Sequence, residues 1–207
     1  MSVPVPTLVE FTGRPAPSAH APLVVLGPSL GTSVSSPRSA AARALEGEHR
    51  VVGWDLPGHG ASAPTTEPYT MAELAQGVLE AVDRLPSPAG IQHERSFYYA
   101  SGSIGCCVGR QLLLDADRFS CARACEALGA FDVRDRPGAV RAPVPAVAHD
   151  VPVPPEAVEQ LAAATGGRAA VLAGAAHLLP ASAPQEVARP LAGHFASAPI
   201  PSGGARA

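Results

Sequence analysis

The sequence predicts an α/β fold with a mainly parallel sheet and helices on both of its faces. Three observations point to this class. Short apolar runs alternate with segments of helical periodicity, in the order strand, strand, helix, strand, helix, strand, helix. The apolar runs are continuous, which is typical of strands buried on both faces. Polar residues follow several of these runs, where ligands bind in open parallel sheets.

The first part of the chain contains three of the predicted strands. Residues 3–11 predict an edge strand, because their prolines cannot donate to a ladder. The runs PLVVLG (22–27) and RVVGWDL (50–56) are short and apolar throughout, so each predicts a buried strand. A helix is predicted between them, over residues 38–49.

The clearest predicted helix covers residues 70–85. Thr70 is a suitable N-cap, and Glu73 stands three residues later as the partner in a capping box. Apolar residues at helical spacing then define one face. They are Leu74, Val78, Val82 and Leu85.

The centre of the chain predicts a strand that runs into a tight turn and then a helix. The strand is SFYYA (96–100), and the helix is IGCCVGRQLLLDA (104–116). Ser103 lies in the turn between them. No convincing strand follows in residues 117–143, although 121–130 has the pattern of a helix.

The last third of the chain continues the alternation of strands and helices. The predicted elements are a strand at 144–150, a helix at 154–165, a strand at 168–174 and a helix at 184–195. Pro145 weakens the first of these strands, and Pro190 is expected to interrupt the last helix. Residues 1–196 therefore predict a single domain, with a disordered Ser/Gly/Pro-rich tail at 197–207.

Composition excludes several classes of function. The formal net charge of −3 gives no electrostatic basis for binding nucleic acid or an anionic membrane. No apolar run approaches the ~20 residues of a membrane span. The N-terminus lacks the features of a secretory signal, so we expect a cytoplasmic protein.

The four cysteines allow one alternative of a different class. Cys106, Cys107, Cys121 and Cys125 supply enough thiolates for a zinc site. The chain has no CxxC spacing, and vicinal cysteines rarely ligate one metal together. We therefore predict no metal and no cofactor, and metal analysis of the purified protein tests this alternative.

Ser103, Asp150 and His177 are candidates for a hydrolytic site. Such a serine needs a constrained turn, a histidine that takes its proton and a carboxylate that orients the histidine. Ser103 has the small residues Ser101 and Gly105 two positions away on either side. Asp150 and His177 each follow a predicted strand. Each of the three also has a purely structural interpretation. Ser103 could be a small residue in a tight turn, Asp150 a cap near the start of a helix, and His177 a histidine in a loop.

Six segments resemble successive landmarks of the α/β-hydrolases, and most of all those of the 3-oxoadipate enol-lactonases of the β-ketoadipate pathway. They are PLVVLGPSLGTS, RVVGWDLPGHGAS, FYYASGSIGCCVG, FDVRDRPGAVRAP, HDVPVPPE and GAAHL. SLGTS and WDLPGHGAS are the more discriminating pieces. The resemblance extends from about residue 5 to residue 195.

The resemblance implies a serine hydrolase of esters or lactones that works through an acyl-enzyme. It implies Ser103 as nucleophile, Asp150 as acid and His177 as base. It also implies an oxyanion hole made by the backbone N–H groups of Leu30 and Ile104. The expected partner is a small ester or lactone, with no cofactor, and the sequence is compatible with a homo-oligomer.

The resemblance also assigns residues around this site. Because the lactone is anionic, arginines are expected to bind it, and the candidates by position are Arg110, Arg123 and Arg134. Asp55 and residues 58–62 match a structural turn beside the site. His59, within that turn, is interpreted as structural.

Three departures from the family pattern support a second hypothesis. Ser101 stands where the family has glycine. Ser103 and Asp150 are only 47 positions apart, so the helical lid is expected to be missing or minimal. The lack of a strand in 117–143 predicts a gap in the sheet. The alternative is a shortened, catalytically impaired homologue that acts as a binding or scaffold protein.

Overall fold

The structure is a computed structural model, which describes eight stretches of the chain. They are residues 4–11, 21–29, 32–35, 39–86, 97–101, 146–149, 155–175 and 179–197. These residues fall into two compact units, the first holding the described part of 4–101 and the second that of 146–197. The single domain predicted for 1–196 stays a prediction.

The first unit contains a mainly parallel four-stranded sheet. Its strands are β1 (Leu8–Glu10), β2 (Leu23–Gly27), β3 (Arg50–Trp54) and β4 (Tyr98–Ser101). Their order is β1-β3-β2-β4, with β2 parallel to both of its neighbours and β1 antiparallel to β3. The predicted edge strand is confirmed, and it is short because it begins beyond Pro4 and Pro6, which have no N–H to donate.

The described part of this unit also contains the helices α1 (Ser39–Leu45) and α2 (Met71–Asp83). The capping box of α2 is present as predicted: the Thr70 hydroxyl accepts from the Glu73 N–H at 3.1 Å, and the Thr70 N–H donates to the Glu73 carboxylate at 2.8 Å. The apolar face of α2 packs into the main core with residues of β2 and β3. That core includes Val25, Val52, Trp54, Leu56, Tyr69, Leu74, Val78 and Val82.

The second unit begins with a strand, a helix and a parallel strand. They are β5 (Ala146–His149), α3 (Pro155–Thr165) and β6 (Ala169–Leu172). β5 begins one residue after Pro145, so the ladder does not need an N–H from that proline. α3 starts with Pro155, at the end of a helix where a missing N–H is tolerated. Gly166 follows α3 with a φ of 68°, the left-handed conformation that ends many helices.

The unit ends with the short helix α4 (Leu179–Ser182), which the sequence did not predict, and with α5 (Pro184–Ser197). The prediction that Pro190 interrupts the last helix is wrong, because α5 runs through it. Pro190 removes one helical N–H, but the buried side chains before and after it hold both halves of the helix in place. Those side chains are Val187, Ala188 and Phe195.

The described strands form two sheets, and the division falls between β4 and β5. The predicted gap between these two strands concerns residues that the structure does not describe, so it stays a prediction. The segment 102–145, with its predicted helices 104–116 and 121–130, lies outside the described residues, as does the predicted tail beyond Ser197. Within the described stretches, no helix is long and apolar enough to cross a bilayer.

Candidate active site

The predicted site residues themselves lie outside the described residues. This applies to Ser103, Asp150, His177, Leu30, Ile104, Arg110, Arg123 and Arg134, and also to the four cysteines. The structure does describe strands that lead to several of the site residues. β4 ends two residues before Ser103, β5 ends one residue before Asp150, and β2 ends three residues before Leu30.

In the first unit, two of these strands are hydrogen-bonded neighbours. β2 and β4 are parallel, and their last residues, Gly27 and Ser101, are partners in the register. Parallel strands present their carboxyl ends at the same edge of a sheet. The segments that continue to Leu30 and to Ser103 therefore leave from adjacent strand ends.

The second unit shows the same arrangement. β5 and β6 are parallel, and their last residues, His149 and Leu172, are register partners. The segments that lead to Asp150 and His177 therefore both start from the carboxyl ends of the strands in this two-stranded sheet. A cavity of about 320 Å³ borders the end of β6, where it is lined by residues 171–175 and by Glu186 of α5.

Hydrogen bonds fix the loop that follows β2. The N–H and the hydroxyl of Thr32 both donate to the Ser29 carbonyl, at 3.2 and 2.8 Å. Further along, the Val34 N–H donates a short hydrogen bond to the Asp55 carboxylate. Ser29, Thr32 and Val34 are all buried, so this loop is anchored in the body of the unit.

Asp55 links that loop to the turn that follows β3. Its side chain is only 1% exposed, and its second carboxylate oxygen accepts from the Ala61 N–H at 3.0 Å. Ser62 closes the turn by donating to the Asp55 carbonyl at 2.8 Å. At Gly60 the φ is 49°, and a Cβ there would overlap the carboxylate. The turn therefore requires glycine at that position and supports the predicted structural role of Asp55.

His59 is held by its own turn. The ring is buried, and Nδ1 lies 3.1 Å from the Pro57 carbonyl oxygen. Its backbone N–H donates to the Leu56 carbonyl at 2.9 Å. These contacts support the interpretation of His59 as a structural residue.

The two tyrosines of β4 point to opposite faces of the sheet, because successive side chains of a strand alternate. The Tyr98 ring contacts the buried His49 ring edge to face, with centroids 6.0 Å apart. Burial raises the pKa of the Tyr98 phenol above its ordinary value of 10.0, so this hydroxyl stays protonated at neutral pH. Tyr99 is 49% exposed and lies on the face that Ser101 shares.

Contacts at Gly27 were not predicted from the sequence. A Cβ on Gly27 would lie 2.9 Å from the Ser101 Oγ and closer still to the Tyr99 hydroxyl oxygen. This contact depends on the register of two strands that are distant in the chain. The clues in the sequence are only a glycine that ends one strand and a serine in place of glycine at the end of another.

No protein-family model matches the sequence, and no curated protein matches it either. Solved structures do. A hydrolase from Pseudomonas aeruginosa PA01 superposes with a TM-score of 0.72 at 19% identity, covering 88% of this chain and 92% of that one. The enol-lactonase from Burkholderia xenovorans LB400 superposes with a TM-score of 0.68 at 19% identity, covering 92% and 96%.

The chain has the α/β-hydrolase fold. A third example is a thermophilic esterase from Thermogutta terrifontis, with a TM-score of 0.69 at 16% identity, covering 92% of this chain and 98% of that one. The predicted fold class is thereby confirmed. Identities this low establish the fold alone, so the α/β-hydrolase fold does not by itself assign a substrate or a set of catalytic residues.

Among the described residues, no three His, Cys, Asp or Glu side chains form a group that would hold a metal ion. At the described strand ends of the first unit, Ser101 is the last residue of β4 and Asp55 directly follows β3.

Proposed function

We propose that this chain is a serine hydrolase of a small ester or lactone. One observation carries the proposal: Gly27 and Ser101 are register partners at the carboxyl ends of adjacent parallel strands. Acyl transfer requires the nucleophile and the oxyanion donors to lie about 3 Å from the reacting group. The chain continues from these two strand ends to the proposed nucleophile, Ser103, and to the proposed donor, Leu30.

In the proposed reaction, His177 takes the proton of Ser103 as its Oγ attacks the substrate carbonyl carbon. The backbone N–H groups of Leu30 and Ile104 stabilise the resulting oxyanion. The intermediate collapses to an acyl-enzyme, and the leaving oxygen takes the proton from His177. Water, activated by His177, then attacks the acyl group, and the acid departs. Asp150 holds the imidazole in the required tautomer throughout.

We further propose an anionic lactone, of the kind an enol-lactonase of aromatic catabolism opens, as the substrate. Arginine binds carboxylates through two parallel N–H donors, and Arg110, Arg123 and Arg134 are the candidates. The proposed setting is the cytoplasm. Steady-state assays that compare a carboxylate-bearing lactone with its neutral methyl ester test the proposed preference for an anionic substrate. We expect the anion to have the higher kcat/KM, and an Arg→Gln substitution at the binding position to remove the preference.

A fluorophosphonate probe tests the proposed nucleophile directly, because it forms a covalent bond with an activated serine. We expect the wild type to be labelled and Ser103→Ala to be unlabelled. Ser197→Ala is the matched control, because Ser197 is an exposed serine at the end of α5. The control is expected to be labelled like the wild type. A folded wild-type sample that takes up no probe would refute the serine mechanism.

The second candidate is a catalytically impaired α/β-hydrolase homologue that acts as a binding or scaffold protein. The observations in its favour are the spacing of only 47 positions between Ser103 and Asp150, and Ser101 in place of the glycine before the nucleophile. This second candidate predicts that the wild type is folded and that the probe leaves it unlabelled. Thermal unfolding and circular dichroism on the same sample show whether the protein is folded.

A further inference from the structure

The paired ends of β2 and β4 contain a contact that requires a glycine on one strand and accepts a serine on the other. Val25 pairs with Tyr99, and Gly27 pairs with Ser101. Since side chains two residues apart share a face, Tyr99 and Ser101 lie on the same face of β4. The side chains of both reach the space above Gly27, which has none of its own.

The distances show how little room is left above Gly27. A Cβ there would lie 2.9 Å from the Ser101 Oγ and 3.1 Å from the Ser101 Cβ. Carbon atoms prefer separations of about 3.5–4.0 Å. The Tyr99 hydroxyl oxygen is even closer, but it is the far end of a long side chain that is 49% exposed. The Ser101 Cβ is fixed to the backbone, so only a shift of the strand relieves its contact.

We propose that Gly27 and Ser101 form a positioning pair that sets the spacing between the nucleophile turn and the oxyanion loop. This proposal rests on the proposed function. Ser101 stands two residues before Ser103, and Gly27 stands three residues before Leu30. The bare backbone of Gly27 provides the space that the Ser101 side chain enters from the neighbouring strand.

A double-mutant cycle tests the pair: Gly27→Ala, Ser101→Gly and both together. The readout is the rate constant for labelling by a fluorophosphonate, corrected for the folded fraction, with thermal unfolding measured in parallel. We expect Gly27→Ala to slow labelling about tenfold, because displacements of a fraction of an ångström at a reacting centre reduce rates strongly. In that background, Ser101→Gly is expected to restore most of the loss, because it removes the Ser101 Oγ and Cβ from the contact.

The same Ser101→Gly substitution in the wild-type background is expected to slow labelling by about threefold, because it leaves the space above Gly27 unfilled. The pair thus predicts that one substitution has opposite effects in the two backgrounds. Ser101→Ala in the Gly27→Ala background removes the Oγ but keeps the Cβ, so we expect partial recovery. If Gly27→Ala does not fold, Ser101→Thr, which adds a methyl group to the same contact from β4, is expected to slow labelling as well.

The outcomes separate this inference from the proposed function. An unlabelled, folded wild type refutes the proposed function and this pair with it. A labelled wild type whose double variant is no faster than Gly27→Ala overturns the pair alone. The pair is also overturned if the variants change the melting temperature while the folded fraction is labelled at the wild-type rate, since that result indicates a purely structural contact.

Discussion

Asp55 connects three segments of the first unit. Its carboxylate accepts from Val34 in the loop after β2 and from Ala61 in the turn after β3. Its carbonyl accepts from Ser62, whose hydroxyl in turn accepts from the Thr7 N–H at 2.9 Å. One buried carboxylate therefore holds the loop next to the proposed oxyanion donor.

Replacing Asp55 with alanine is expected to lower the free energy of unfolding by about 3 kcal/mol. The substitution leaves the buried Val34 N–H and the partly buried Ala61 N–H without their charged acceptor, and each such loss costs about 1–3 kcal/mol. Chemical denaturation measures the change. Glu48→Ala removes a carboxylate from an exposed position just after α1 and should change stability by less than about 0.5 kcal/mol. Equal effects of the two substitutions would contradict the role assigned to Asp55.

At the scale of elements, the capping box of α2 stabilises the start of that helix through contacts between residues close in sequence. Thr70→Ala removes the N-cap hydroxyl and is expected to reduce stability by about 1 kcal/mol. Thermal unfolding measures it, and Thr70→Ser, which keeps the hydroxyl, is the control. An unchanged melting temperature in Thr70→Ala would show that the cap contributes nothing.

The same capping box predicts a pH dependence. Hydrogen bonds from the backbone and then from the side chain of Thr70 lower the pKa of Glu73 below its ordinary 4.5. The carboxylate therefore contributes stability above pH 4.5, and that contribution disappears as the pH falls through the lowered pKa. We expect the melting-temperature difference between wild type and Glu73→Gln to be constant near neutral pH and to shrink in acid. A difference that grows in acid would contradict this sign.

Two helical glycines give opposite predictions for the same substitution. In α2, a Cβ on Gly77 would overlap the carbonyl oxygen of Pro4, so Gly77→Ala is expected to destabilise the protein by about 1–3 kcal/mol. In α5, a Cβ on Gly193 meets nothing within 4 Å, so Gly193→Ala is expected to stabilise it by about 0.5–1 kcal/mol. Thermal melts of both variants compare them. The same sign of change in both would refute the steric explanation.

Elements with a strong local pattern were predicted well, and those that depend on distant contacts were not. Continuous apolar runs predicted β2 and β3, and the capping box predicted α2. Pro190 shows the limit of local rules, because burial on both sides of it overrides its intrinsic preference. The space above Gly27 was not predictable, since it depends on a pairing with residues more than seventy positions away.

For the whole molecule, the fold was predictable because the order of strands and helices largely determines the layers of an α/β protein. The candidate site was predictable only as residue types at strand ends. Distances within it depend on segments outside the described residues, and no local pattern fixes them. The proposed triad therefore stays a prediction that kinetics can test.

If Ser103 and His177 act as one catalytic unit, their substitutions will not be additive. We expect Ser103→Ala, His177→Ala and the double variant to lose hydrolysis of an activated ester to about the same extent, on the order of 10³-fold or more. Steady-state assays with 4-nitrophenyl acetate measure this. His194→Ala, a histidine on α5, is the matched control. A double variant that is far slower than either single variant would mean that the two residues act independently.

The short strand β1 has a consequence for self-association. The open edge of a sheet can recruit another chain, and proteins discourage this with short strands, prolines and charges at the edge. β1 has three residues, follows Pro4 and Pro6, and carries Glu10, which forms an ion pair with Arg50 at 2.8 Å. β1 covers the edge of β3, and β1 itself pairs poorly with a strand of another chain. It therefore protects the central apolar strands from intermolecular pairing and aggregation.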